Sequence, residues 1–203
     1  MGKRMRQLLT LAIVVGIVVC AVGVVFYGRG FGARAEPSAL EAFVARTVRR
    51  VATPRSAYDA VNPIALTPDI LADARAHFAD HCAICHANDG SGKTDIGRNL
   101  YPKAPDMRDT DTQSLTDGEL FYIITNGIRL TGMPAWGSGD DEDDHDSWAL
   151  VHFIRHLPDI ADDELEAMGD LNPVSRSELA EAELEARFLQ GEPEAQHDHH
   201  HHE

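Results

Sequence analysis

Cysteine is scarce in this 203-residue chain, and positive charge is scarce over most of its length. There are three cysteines, and 18 basic side chains face 33 acidic ones, for a net charge of −15 at pH 7. Each shortage excludes something. Cys20 lies inside an apolar run, so Cys82 and Cys85 have no second cysteine pair with which to close a four-thiolate zinc site. No segment alternates apolar and polar residues as a half-buried strand does, which argues against a thioredoxin-like βαβ unit and for an all-α chain. Nine of the basic residues stand before residue 56, against Glu36 and Glu41 alone, so residues 1–55 carry +7 and residues 56–203 carry −22. So acidic a second part excludes nucleic acid as a partner and calls for a partner with a basic docking patch.

The front of the chain is built differently. Lys3, Arg4 and Arg6 precede a stretch without charge from Gln7 to Gly28. About 20 apolar helical residues span the ~30 Å hydrocarbon core of a bilayer, so residues 1–29 are expected to be a membrane anchor. Ala33-Arg34-Ala35 resembles a signal-peptidase site, and a long cleaved signal peptide is the rival reading. The run is longer than the ~7–15 residues usual for such a peptide, which favours an uncleaved anchor. Basic residues on its N-terminal side favour a cytoplasmic place for that end, although Arg29 and Arg34 follow the segment and reduce the asymmetry.

Residues 30–66 read as an amphipathic helix and a linker. From Ser38 to Ala52, Leu40, Phe43, Val44, Thr47, Val48 and Val51 form one helical stripe, with Arg46, Arg49 and Arg50 opposite. The stripe is expected to pack on the domain that follows; lying in the membrane interface is the alternative. Thr53-Pro54 ends the helix, and the chain to Pro63 reads as a linker. Residues 67–158 hold three further helical patterns. Thr67-Pro68-Asp69 starts the first. Thr116 and Glu119 form a capping box for the second, which Gly127 stops. Ser147 to Leu157 makes the third, with Pro158 at its end. The acidic run Asp140–Asp144 lacks EF-hand spacing and reads as a solvated loop before that helix. Residues 159–203 form an acidic extension with a helical pattern from Ser177 to Leu189, where Leu184 and Phe188 make an apolar i, i+4 pair. It ends in His197-Asp198-His199-His200-His201-His202-Glu203, a tract suited to a divalent metal such as Zn²⁺, Cu²⁺ or Ni²⁺.

The chemistry concentrates in Cys82-Ala83-Ile84-Cys85-His86. This is the C-x-x-C-H spacing by which a haem c is attached covalently: two thiols one turn apart reach the two vinyl groups of one haem, and the histidine that follows binds iron. Haem attachment takes place outside the bacterial inner membrane, so residues 30–203 are expected on its periplasmic side. The pairs His77/His81 and His152/His156 have metal-ligand spacing, but neither has an obvious third ligand.

Three short helices around one such motif resemble class I cytochromes c, over residues 67–158. The resemblance rests on the helix before Cys82, on Gly97-Arg98-Asn99-Leu100 and on Gly132-Met133-Pro134. It implies Met133 as the distal iron ligand, a thioether that raises the potential relative to a second imidazole. It implies Leu100 as a haem-packing side chain, and the backbone carbonyl of Arg98 as acceptor for the Nδ1–H of His86. The family often has proline where Arg98 stands. Arg129, Trp136 and Tyr122 are candidates to bind the haem propionates, and His152 is a rival for the sixth iron position. The implied function is that of a membrane-tethered carrier of single electrons between respiratory membrane complexes and a terminal acceptor, with no catalytic side chain. Two other classes stay open: a ligand sensor or peroxidase-like enzyme in which Met133 leaves the iron, and an accessory subunit of an oxidase or a metal-handling protein acting through the histidine tail.

Overall fold

The computed structural model describes residues 2–30, 32–139, 141–174 and 176–189, and among them all regular structure is helical. Helix α1, Lys3–Arg29, is 27 residues long. It is the one helix among the described residues long and apolar enough to cross a membrane, and its Lys3–Val25 part is nowhere buried in the structure. At 1.5 Å per residue its length exceeds the bilayer core. Helix α2, Ala39–Ala52, begins at Ser38, whose hydroxyl accepts the Glu41 amide while the Glu41 carboxylate accepts the Ser38 amide. The expected stripe is present, but it does not pack: Phe43 is 64%, Val48 60% and Val51 82% exposed, and no residue of α2 is buried.

The expected linker is also different. Residues 55–58 form a short helix, α3 (Arg55–Tyr58), whose Ala57 is buried. It docks on the second predicted helix at Gly118, where a Cβ would lie 1.9 Å from the Ala57 carbonyl oxygen. A glycine inside a helical pattern signals such a close approach. Asn62 then donates to the Trp148 carbonyl at 2.9 Å, and a ring nitrogen of His152 holds the Ile64 carbonyl at 2.7 Å. The segment before Thr67 is thus docked rather than free.

Helix α4, Pro68–His77, starts at the Thr67 cap with proline in its first turn. It runs through one π turn, Phe78–Cys82, into α5, Ala83–His86, so the attachment motif continues a helix rooted in the core. After α6, Thr110–Gln113, comes α7, Asp117–Asn126, with the Thr116–Glu119 capping box and a Gly127 stop, as the sequence predicts. Helix α8, Asp141–His156, starts six residues before the predicted Ser147, so residues 141–144 are helical rather than loop. Carboxylates suit the first turn, where the helix dipole is positive. Phe78 and Phe153 meet at 5.0 Å between ring centroids, and Phe121 stacks on Trp148 at 4.1 Å, joining the π turn, α7 and α8.

The packed unit does not stop at Pro158. Helix α9, Asp162–Gly169, buries Met168 completely. Its Glu164 takes an ion pair from Arg75 at 3.0 Å and a hydrogen bond from His156 at 2.8 Å. Burial pushes the Glu164 carboxyl up, but these donors and the Ala161 amide outweigh it and leave its pKa below the ordinary 4.5. A depressed folded pKa stabilises the fold in full above the unfolded value, and that contribution is lost as pH falls through the folded one. Glu164→Gln is therefore expected to cost about 1–2 kcal/mol at neutral pH. The gap between variant and wild type in urea melts should close as pH drops below 4.5.

Arg155 locks α8 to the α6–α7 turn. Its guanidinium donates to Asp117 at 2.8 Å and to the Gln113 carbonyl at 2.8 Å, and it reaches the Leu115 carbonyl as well. Lysine cannot reproduce this fork, so Arg155→Lys should lower unfolding free energy by about 2 kcal/mol, measured by denaturant titration. Helix α10, Arg176–Leu189, matches the last predicted helix and leaves Leu184 60% exposed. The Phe188 side chain and the tract His197–Glu203 lie outside the described residues.

Candidate haem site

The π turn and helix α5 present Cys82, Cys85 and His86 at the end of the α4 axis. Ala83 and His86 are buried, and Ile84 between the cysteines is 54% exposed. Helix C-termini leave carbonyls without partners, and here the following loop supplies them. Gly92 donates its amide to the His86 carbonyl at 2.8 Å, and the Thr94 hydroxyl donates to the Cys85 carbonyl at 3.2 Å. The Thr94 oxygen in turn accepts the Gly97 amide at 2.8 Å. This chain of contacts draws the turn Gly97–Asn99 directly against α5. Gly97 is needed there: a Cβ would lie 2.2 Å from the Cys85 carbonyl oxygen and 2.6 Å from that of Gly92.

Arg108 braces the same loop, pairing with Asp89 at 3.1 Å and with Asp106 at 2.6 Å. The hydrogen bond from Arg108 holds the Asp106 carboxyl below its usual range. The Gly132-Met133-Pro134 loop reaches the residue that follows the Gly97–Asn99 turn. Gly132 packs on Leu100, where a Cβ would sit 2.6 Å from Cδ2. The Met133 carbonyl accepts the Ile128 amide at 3.1 Å, and the Met133 amide donates to the Thr131 hydroxyl at 3.1 Å. Trp136 donates its amide to the Ile124 carbonyl at 3.1 Å, which returns the loop to α7. Its indole lies edge-on to the His81 ring at 5.6 Å, beside Cys82.

The electrostatics of the motif separate its readings. Both cysteines are free thiols. Burial, and then the neighbouring Cys85, push the Cys82 thiol up to about 12, and burial raises Cys85 as well. A thioredoxin-like pair needs a thiol lowered by its surroundings, the opposite of what is found. A zinc site needs more ligands, and among the described residues no group of three or more histidine, cysteine or carboxylate side chains gathers. His77 lies 3.5 Å from Asp146 and His152 is engaged with Ile64, so neither histidine pair closes a metal site.

His86 is 8% exposed, and burial lowers its pKa to about 4. It is therefore neutral at physiological pH, the form that binds a metal. Its Nδ1 is buried with no hydrogen-bond partner. The Arg98 carbonyl therefore does not accept it, contrary to the expectation from the resemblance. An unpartnered buried imidazole is costly unless something takes up the ring. Two free thiols and a buried neutral imidazole within five residues form a donor set that fits haem c, to which Met133 would add a thioether.

The all-helical fold and a family match support a class I c-type cytochrome domain over residues 69–154, and such a domain implies haem c binding and haem-based electron transfer. Residues 69–154 match the family model of cytochrome C oxidase, cbb3-type, subunit III. No curated protein matches the chain. Sequence reasoning missed the docking of α3 on Gly118 and the Arg75–Glu164–His156 cluster; the mid-helix glycine was the only available signal for the former.

Proposed function

We propose that the chain is a membrane-tethered cytochrome c with one haem, held covalently by Cys82 and Cys85 and ligated by His86 and Met133. It carries single electrons between respiratory membrane complexes and a terminal acceptor on the periplasmic side of a bacterial inner membrane. The observation that carries this reading is the buried, neutral His86 directly after two free thiols, with Gly132 of the Met133 loop packed on Leu100. Haem would supply one-electron redox chemistry; the protein's part would be to hold His86 and Met133 as donors to the iron and to exclude water. His86 is set by the end of the α4–α5 axis, and Met133 by a loop held through its own backbone and the Thr131 hydroxyl. No proton-transferring side chain is required, so this reading is of a carrier, not an enzyme. Helix α1 supports the tether. The charge of −22 over residues 56–203 supports a redox partner with a basic docking patch.

A redox titration followed by visible spectroscopy tests the proposal. A single one-electron wave with a methionine-to-iron(III) charge-transfer band supports it. A high-spin spectrum that binds carbon monoxide in the isolated protein overturns it in favour of a sensor or peroxidase-like enzyme. The family match favours one second reading, a subunit held within an oxidase; co-purification in fixed ratio with a large membrane complex would establish that instead.

A further inference from the structure

Helix α2 presents its two faces the wrong way round for a helix that belongs to a soluble core. Leu40, Val44, Val48 and Val51 are 72%, 50%, 60% and 82% exposed. The opposite side, around Ala42 and Arg49, is the less exposed one and faces the haem domain. The links to that domain come from polar groups: Arg46 pairs with Asp111 at 2.7 Å, Glu41 accepts from the Tyr101 hydroxyl, and the Tyr58 hydroxyl donates to the Arg50 carbonyl at 2.8 Å. Lys103 also pairs with Glu36, just before α2. The haem domain thus sits on the polar side of α2 and leaves the apolar stripe uncovered.

What covers that stripe follows from the chain on either side. Helix α1 ends at Arg29 and α2 begins at Ala39, so α2 starts within a short connection of a membrane-spanning segment. The stretch on this side of α1 is also basic: residues 29–55 hold six arginines against Glu36 and Glu41, a net +4, while residues 56–203 carry −22. An apolar stripe on a helix whose opposite face is rich in arginine is the composition of a helix lying in an anionic lipid interface. We propose that α2 lies flat in the membrane interface, its stripe against the acyl chains of an anionic bilayer and its polar side carrying the haem domain. This rests on the reading of α1 as a membrane anchor. The domain then does not hang on a free tether but is held at one height and in one orientation.

The test uses the full haem-loaded chain in a Cys20→Ser background, reconstituted in vesicles of phosphatidylethanolamine and phosphatidylglycerol. Single cysteines are placed at Val44 and Val51, with Asp95→Cys as an exposed reference, and labelled from outside with a membrane-impermeant maleimide. Both stripe positions are surface sites, so the fold tolerates the change. The expected result is labelling roughly tenfold slower at both stripe positions than at the reference, with the protection reduced in purely zwitterionic vesicles. If the protein does not float with the vesicles, the anchor reading fails and this proposal with it. If it floats but the stripe positions label as fast as the reference, the proposal alone is overturned. Protection that disappears when the protein is diluted in lipid would also overturn it, in favour of a second copy of the chain.

Discussion

Replacing Met133 by alanine is expected to leave the haem attached, lower the midpoint potential by on the order of 0.2 V, and open the iron to cyanide or carbon monoxide. Truncation leaves the loop in place because none of its hydrogen bonds uses the methionine side chain: Ile128 donates to the Met133 carbonyl, the Thr131 hydroxyl accepts the Met133 amide, and Trp136 returns the chain to α7. The methionine side chain is half-buried and is not a core anchor. The loss therefore falls on the iron rather than on the fold. A thioether favours the reduced metal, and removing it stabilises the oxidised state. Met133→His separates ligation from packing: it should keep a low-spin spectrum but lose the charge-transfer band and lower the potential. An alanine variant whose spectrum and potential match wild type would refute Met133 as the ligand.

Gly97→Ala is expected to cost roughly 3 kcal/mol in unfolding free energy and to reduce the yield of covalently attached haem. The methyl group would meet two backbone oxygens, of Cys85 at 2.2 Å and of Gly92 at 2.6 Å, and neither can rotate away as a side chain would. The turn Gly97–Asn99 must then lift from α5, breaking the Gly97-to-Thr94 hydrogen bond and loosening the Thr94-to-Cys85 bond that orders the motif. Gly169→Ala is the control, since a Cβ there meets nothing within 4 Å. Denaturant melts and the haem-to-protein absorbance ratio give the two readouts. Equal behaviour of the two variants would mean that the turn does not depend on its close approach to the motif.

The site was legible to the extent that its parts are local. Cys82, Cys85 and His86 lie within five residues, and the Ser38, Thr67 and Thr116 caps are each decided within one helical turn. Periodicity likewise marked the apolar faces of α2, α7 and α8. It was a poorer guide to boundaries: the acidic start of α8 looked like loop because its helical preference comes from the dipole rather than from an apolar face. The partner of the His86 ring was also misjudged, because a resemblance carries an acceptor at Arg98 but not the geometry that would bring it to Nδ1.

By itself, then, the sequence determined the haem motif, the thioether loop, the apolar N-terminal helix and the all-helical character, since each is written in neighbouring residues or in a short period. Only the tertiary structure decided that residues 55–64 dock on α7 and α8, that α9 completes the core through Met168 and Glu164, and that α2 turns its apolar stripe away from the domain. Periodicity says that a face is apolar; what lies against it depends on contacts such as Arg75 with Glu164 or Asn62 with Trp148, which join residues far apart in the chain. Such contacts form only where backbones come close, as at Gly118 and Gly97, and closeness of that kind is a property of the folded molecule.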